Sequence, residues 1–250
     1  MSHAGIPATP TISSVSKFRT KGNISVCRAQ PFQQSHGESL RTFRAQGILF
    51  DLDGTMVNSI AAVERAWRAW AVEHGLDPDY VAPRIHGRRA VDSIAVLGPH
   101  LDQIAAFERL EHLEATDVKG VVPMPGIHEF LEKLEDVPWG IVTSGTRAIA
   151  LPRLRAAGIA PPDVLVTAEQ ISHGKPHPEA FLAGASRLGL PPESILAFED
   201  TLAGVMSAKA SGMKVVGLTV EASAEADHTI DTFAGIELVR AKPGFMLGFN

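Results

Sequence analysis

The sequence predicts an α/β fold: a doubly wound parallel sheet covered by helices on both faces, with one helical insert. Three observations predict it. Short apolar runs recur along the chain, each bounded by turn formers. Segments with helical spacing lie between them, and a single long interval breaks the alternation.

The first strand is read at Gly47-Ile48-Leu49-Phe50-Asp51-Leu52. Further strands are expected at Trp139–Val142, Val164–Val166, Ile195–Phe198 and Val215–Leu218. Helical spacing appears in Ile127, Phe130, Leu131 and Leu134; in Ile149, Leu151 and Leu154; in Phe181, Ala185 and Leu188; and in Leu202, Val205 and Ala208. Strand and helix in alternation imply right-handed crossovers and a parallel sheet, whose ligands bind beyond the carboxyl ends of the strands. From Ser59 to about Met124 no strand is apparent, whereas Ala62–Val72 is helical in pattern, so this interval reads as an insert. Val122-Pro123-Met124-Pro125-Gly126 closes it, because two prolines and a glycine break a helix.

Residues 1–45 differ in character. They carry six basic residues (Lys17, Arg19, Lys21, Arg28, Arg41 and Arg44) against one acid, Glu38, within a chain of net charge −5. Rich in Ser, Thr, Pro and Gln, this leader lacks the apolar surface that repays chain ordering and reads as disordered. Arg, Ser and few acids are also what organelle transit peptides share, and a mis-assigned start codon or a solvated tail fits equally. The expected location is cytoplasmic, with organelle import through the leader as the alternative. The acidic balance of the remainder argues against nucleic acid and anionic membrane as partners. No run approaches the ~18 apolar residues of a membrane-spanning helix. A lone cysteine, Cys27, excludes an internal disulfide.

The chemistry gathers at predicted strand ends. Asp51-Leu52-Asp53-Gly54-Thr55, Thr143-Ser144-Gly145-Thr146 and Glu199-Asp200-Thr201 follow the first, second and fourth strands, and Lys175 lies in the loop after the third. In a parallel sheet these ends share one edge. Crowded carboxylates repel unless a cation sits among them, and oxygen-only ligands suit a hard ion such as Mg²⁺. That ion, Lys175, the Ser144 hydroxyl and the turn at Asp53–Thr55 could hold a phosphate, leaving one carboxylate free to attack. Taken singly, each motif is an ordinary acidic turn, loop or helix cap, and Asp51-Leu52-Asp53-Gly54 lacks the further ligands of a calcium loop. Their joint occurrence in order is what points to a site.

At these residues the chain resembles the haloacid dehalogenase superfamily, specifically its phosphatase-type members with a helical cap, over about residues 46–240. The resemblance implies a Rossmann-like catalytic core over 46–59 and 125–250 and a cap over 60–124. It also implies Asp51 as nucleophile and Asp53 as general acid and base. Mg²⁺ would be held by Asp51, the Asp53 main-chain carbonyl and Asp200, with Glu199 supporting its waters. Ser144, Gly145 and Lys175 would bind the phosphoryl group, Lys175 also offsetting the charge on Asp51. An acid at position 53 disfavours carbon–halogen cleavage, and Val63 stands where β-phosphoglucomutase relatives carry His. Val63–Trp67, Leu76-Asp77-Pro78 and His86-Gly87-Arg88 resemble the cap of enzymes that dephosphorylate hexose, 2-deoxyglucose 6- and glycerol phosphates. His86 and Arg88 would grip sugar hydroxyls or phosphate. The expected partner is a small phosphorylated metabolite. Two rivals stay open, a phosphomutase and a non-catalytic binding module. Nothing in the sequence sets the oligomeric state, and a monomer is compatible with it.

Overall fold

The structure is a computed structural model that describes residues 41–249. The described chain starts with β1 (Arg41–Ala45), enters β2 (Gly47–Phe50) and, after a tight loop, forms β3 (Val57–Asn58). Helices α1 (Ile60–Glu73), α2 (Pro78–Val81), α3 (Ala90–Leu97) and α4 (Gln103–Thr116) follow. Then β4 (Val122–Pro123) pairs antiparallel with β3, joining both ends of this helical excursion. From there the order is α5 (Ile127–Glu132), β5 (Trp139–Val142), α6 (Arg147–Ala156), β6 (Val164–Val166), α7 (Glu179–Leu188), β7 (Ile195–Glu199) and α8 (Leu202–Ala210). The described chain ends with β8 (Lys214–Gly217), α9 (Val220–Ser223), β9 (His228–Thr229), β10 (Glu237–Arg240) and β11 (Phe245–Phe249).

The main sheet has six strands in the order β6-β5-β2-β7-β8-β9, all parallel. The five strands read from the sequence are there, and the short β9 extends one edge. The chain leaves β2 for β5 and β6, then returns to β7 on the other side of β2. The crevice beyond the carboxyl end of β2 is therefore the topological switch point, where open α/β sheets bind ligands.

Every residue of β2 is buried because both faces of the sheet are covered. Its side chains alternate between two cores. Ile48 and Phe50 join Phe130, Phe198 and Phe233 on one face, while Leu49 joins Val142, Phe181 and Val215 on the other. The Phe50 ring stacks on Phe198 at 5.1 Å and meets Trp139 edge-on at 5.9 Å. Burial of one such ring stabilises by about 1.5–3 kcal/mol, and several together fix the end of β2 firmly.

The helices between β3 and β4 have a core of their own, built on Trp67, Trp70, Ile94 and Leu110. The indole N–H of Trp70 donates to the Ala106 carbonyl at 2.8 Å, satisfying the one polar atom of a fully buried ring. Asp102 caps α4 by accepting from the amides of Ile104 and Ala105.

One expectation is corrected. Arg41–Ala45, read as part of a disordered leader, is a strand paired antiparallel with β11 from Arg41–Phe249 to Ala45–Phe245, and β10 completes this second sheet. Phe43 packs edge-on against Phe249 at 5.8 Å, and Phe245, Leu247 and Phe249 are buried. The partner lies at the far end of the sequence, so no local window of polar residues carries the signal. The rest of the leader, residues 1–40 with Cys27, lies outside the described residues. Among the described residues, no helix is long and apolar enough to cross a membrane.

Candidate active site

Asp51 follows the last residue of β2, and its amide still donates to the Phe198 carbonyl of β7 at 2.9 Å, so the neighbouring strand holds its backbone. Its side chain is nearly buried. Lys175 reaches it from the loop before α7, with Nζ 2.5 Å from Asp51 Oδ1, 2.5 Å from Glu199 Oε1 and 3.1 Å from the Val142 carbonyl. An ammonium has three N–H donors, and these acceptors use all three. For Lys175, expected to bind phosphoryl oxygens as well as to offset Asp51, all three donors meet protein acceptors in this arrangement.

Glu199 closes β7, and both of its oxygens are occupied. Oε1 accepts from Lys175, and Oε2 accepts from the amides of Asp200 and Thr201 and from the Thr201 hydroxyl, all at 3.0 Å. A Cβ at position 204 would lie 1.7 Å from Glu199 Oε1, so Gly204 makes room for this carboxylate. Thr201 also caps α8, its Oγ1 accepting from the Gly204 amide at 3.2 Å. Asp200 is thereby held at the crevice, where Thr55 Oγ1 donates to its Oδ1 at 3.4 Å. Gly54 has φ +87°, and a Cβ there would fall 1.9 Å from Asp200 Oδ2, so both the turn and the close approach require glycine.

Oxygens of Asp51, Glu199 and Asp200 lie within 4.8 Å of one another, and all three residues are buried. One ammonium cannot balance three carboxylates. Burial, with the charge of Glu199 adding to it and Lys175 opposing it, pushes the Asp51 carboxyl up to about 8. Burial and the charge of Asp51 hold the Asp200 carboxyl well above the ordinary carboxylate range. Burial would lower the Lys175 ammonium, but Asp51 and Glu199 outweigh it and raise it. Such uncompensated negative charge on clustered oxygens fits a hard divalent cation such as Mg²⁺.

Asp51, Asp53 and Asp200 line a cavity of ≈ 420 Å³ shared by the strand ends and the helices of residues 60–116. Ser144, Gly145, His86 and Arg88 line it too, so every sequence-derived site residue except Lys175 and Glu199 faces the same space. Several of their donors are engaged with protein. Ser144 Oγ donates to the Gly87 carbonyl at 3.1 Å, and the Gly145 amide donates to Thr143 Oγ1 at 3.0 Å. His86 Nε2 lies 3.5 Å from Glu64 Oε1. The Ser144–Gly87 bond and the bond from Arg89 Nη1 to the Ile171 carbonyl, 3.0 Å, join the helical segment to the strand ends.

Residues 48–218 match the sequence model of the family described as haloacid dehalogenase-like hydrolase. The chain belongs to this family. Hexitol phosphatase A of Escherichia coli is 45% identical over 193 residues, covering 75% of this chain and 89% of that protein. Glycerol-1-phosphate phosphohydrolase 2 of Saccharomyces cerevisiae is 31% identical over 189 residues, covering 71% of this chain and 76% of that protein. The crystal structure of CbbY from Rhodobacter sphaeroides in complex with phosphate superposes with a TM-score of 0.68 at 22% identity, covering 76% of this chain and 96% of that one. That likeness concerns the fold.

Within this hydrolase site the sequence reading missed three residues. Arg153 of α6 places Nη1 2.8 Å from Asp53 Oδ2 and Nη2 2.6 Å from Glu114 Oε2. Ser59 Oγ donates to Asp53 Oδ1 at 2.5 Å. Burial raises the Glu114 carboxyl, with Arg153 opposing the shift. No local pattern separates Arg153 from its exposed neighbour Arg155, although its place among Ile149, Leu151 and Leu154 was a usable hint of an inward face.

Proposed function

We propose that this enzyme is a Mg²⁺-dependent phosphatase that hydrolyses a small sugar, hexitol or glycerol phosphate through an aspartyl-phosphate on Asp51. One observation carries the reading: Asp51, at the switch point of the sheet, faces the cavity beside Asp53 while Lys175 neutralises it from the buried side. The named phosphatase relatives support the substrate class, and the cavity volume falls within the range of small-molecule sites.

In the first step the Asp51 carboxylate attacks phosphorus as the ester P–O bond breaks, and Asp53 gives its proton to the leaving alcohol oxygen. In the second, Asp53 takes a proton from water as the water oxygen attacks phosphorus. The Asp51–phosphorus bond breaks and inorganic phosphate leaves. Mg²⁺ would be held by Asp51, the Asp53 carbonyl and Asp200, and when bound it supplies positive charge to phosphoryl oxygens. Glu199 acts by fixing Lys175 and the Asp200–Thr201 turn. Residues 60–124 act as a cap that excludes bulk water and selects the alcohol, with His86 and Arg88 on its cavity side.

The test is turnover of hexitol, hexose, deoxyhexose and glycerol phosphates with Mg²⁺, ranked by kcat/KM. Release of one inorganic phosphate per ester consumed is expected. Isomerised sugar phosphate without free phosphate would instead make the enzyme a mutase, and inertness across the panel would make it a binding module.

A further inference from the structure

We propose that Arg153 is a positioning residue that fixes the Asp53 carboxyl group and ties its orientation to the helical segment through Glu114. The inference rests on the phosphatase reading above and adds a residue to it. Arg153 is only 2% exposed, and a guanidinium at that depth needs anionic partners. It has two, on different parts of the fold. Asp53 belongs to the loop after β2, and Glu114 to α4 of the helical segment, where it is 6% exposed.

The geometry goes beyond a generic buried ion pair. Asp53 is held at both oxygens, Oδ2 by Arg153 and Oδ1 by Ser59, so rotation of the carboxyl group is arrested. Arg153, Asp53 and Glu114 all line the cavity where the ester would sit, and Arg153 Nε has no partner among the described residues. The link to α4 is doubled. Glu111, one turn before Glu114 on the same helix face, accepts from Thr146 Oγ1 at 2.6 Å, and Thr146 immediately precedes the helix that carries Arg153. If α4 moves away from α6, Arg153 loses Glu114 and the restraint on Asp53 loosens. A proton donor is in register with the leaving oxygen only when its carboxyl is held, so closure of the helical segment over the site would also set the acid.

The experiment compares leaving groups. Arg153→Met should lower kcat on a hexitol or glycerol phosphate by about 10²–10⁴-fold, the usual worth of a positioned acid, with KM changed less than about threefold. On p-nitrophenyl phosphate, whose leaving group departs without a proton, the burst rate of p-nitrophenolate release, which reports the first step alone and not the later activation of water by Asp53, should fall less than about threefold. Arg153→Lys, which can reach one carboxylate, should recover part of the loss, and Glu114→Gln should show a smaller loss with the same dependence on leaving group. Because Arg153→Met strands two carboxylates and could fail to fold, the double variant Arg153→Met/Glu114→Leu is measured beside it and should discriminate between esters in the same way. A p-nitrophenolate burst slowed as much as turnover of the hexitol or glycerol phosphate, or a change confined to KM, would overturn the role of Arg153. Wild-type enzyme that hydrolyses neither ester, or full activity in Asp51→Asn, would instead overturn the phosphatase reading and this inference with it.

Discussion

Lys175 Nζ donates to Asp51 Oδ1 over 2.5 Å across 124 positions of sequence, and both side chains are buried. The same ammonium holds Glu199, so one cation joins the loop before α7 to the ends of β2 and β7. The arrangement aims the Asp51 carboxyl where the sheet opens, with Lys175 opposing the effect of burial on its charge.

Replacing Lys175 by Met strands Asp51 and Glu199 without their shared cation. Removing one partner of a buried pair costs about 3–5 kcal/mol, and that loss is expected in urea unfolding of the metal-free protein. Mg²⁺ should restore part of it. An unfolding midpoint equal to wild type would mean that the ammonium contributes nothing net.

The raised carboxyls set a pH dependence. Asp51 sits at about 8 against an ordinary value of 3.8, and Asp200 is raised as well. The folded state therefore keeps protons on these two groups that the unfolded chain gives up, so their contribution to metal-free stability is fully present below the ordinary carboxylate value and is lost as pH rises toward about 8. Mg²⁺ binds the charged forms, so the gain in Tm that it gives should widen from about pH 6 to about pH 9. Melting curves with Mg²⁺ or chelator across that range check this, and a constant gap would contradict it.

Gly54→Ala places a Cβ 1.9 Å from Asp200 Oδ2 at a φ of +87°. The strained backbone alone costs about 1–2 kcal/mol, and Asp200 must move. We expect at least about a tenfold weaker Mg²⁺ dependence of activity, read from metal titrations. Unchanged titrations would show that Asp200 does not serve the metal.

Phe43→Ala tests the second sheet. Loss of the ring beside Phe249 should cost about 1–3 kcal/mol in thermal or urea unfolding and leave kcat unaltered, since this sheet contributes no side chain to the cavity. A stability change near zero would argue against the pairing of β1 with β11.

What could be read in the sequence follows from range. The central strands are continuous apolar runs, and Asp51, Ser144 and Asp200 stand directly after or within a residue or two of them, so periodicity alone placed them at one edge. Lys175 was found because its loop follows a strand, but its three acceptors come from Asp51, Val142 and Glu199, and only the folded structure shows that it is saturated. Arg41–Ala45 was misread because its ordering comes from β11 at the opposite end of the chain. Arg153 was missed for a related reason: a basic residue in the last turn of a helix is ordinarily a solvated one, and nothing nearby tells that Glu114 and Asp53 enclose it.

Rapid quenching of enzyme mixed with Mg²⁺ and a hexitol or glycerol phosphate, followed by peptide mass spectrometry, would trap the proposed aspartyl-phosphate itself. A transient phosphoryl adduct is expected on Asp51, lost in Asp51→Asn together with turnover. An adduct on another residue, or turnover that persists in Asp51→Asn, would contradict it.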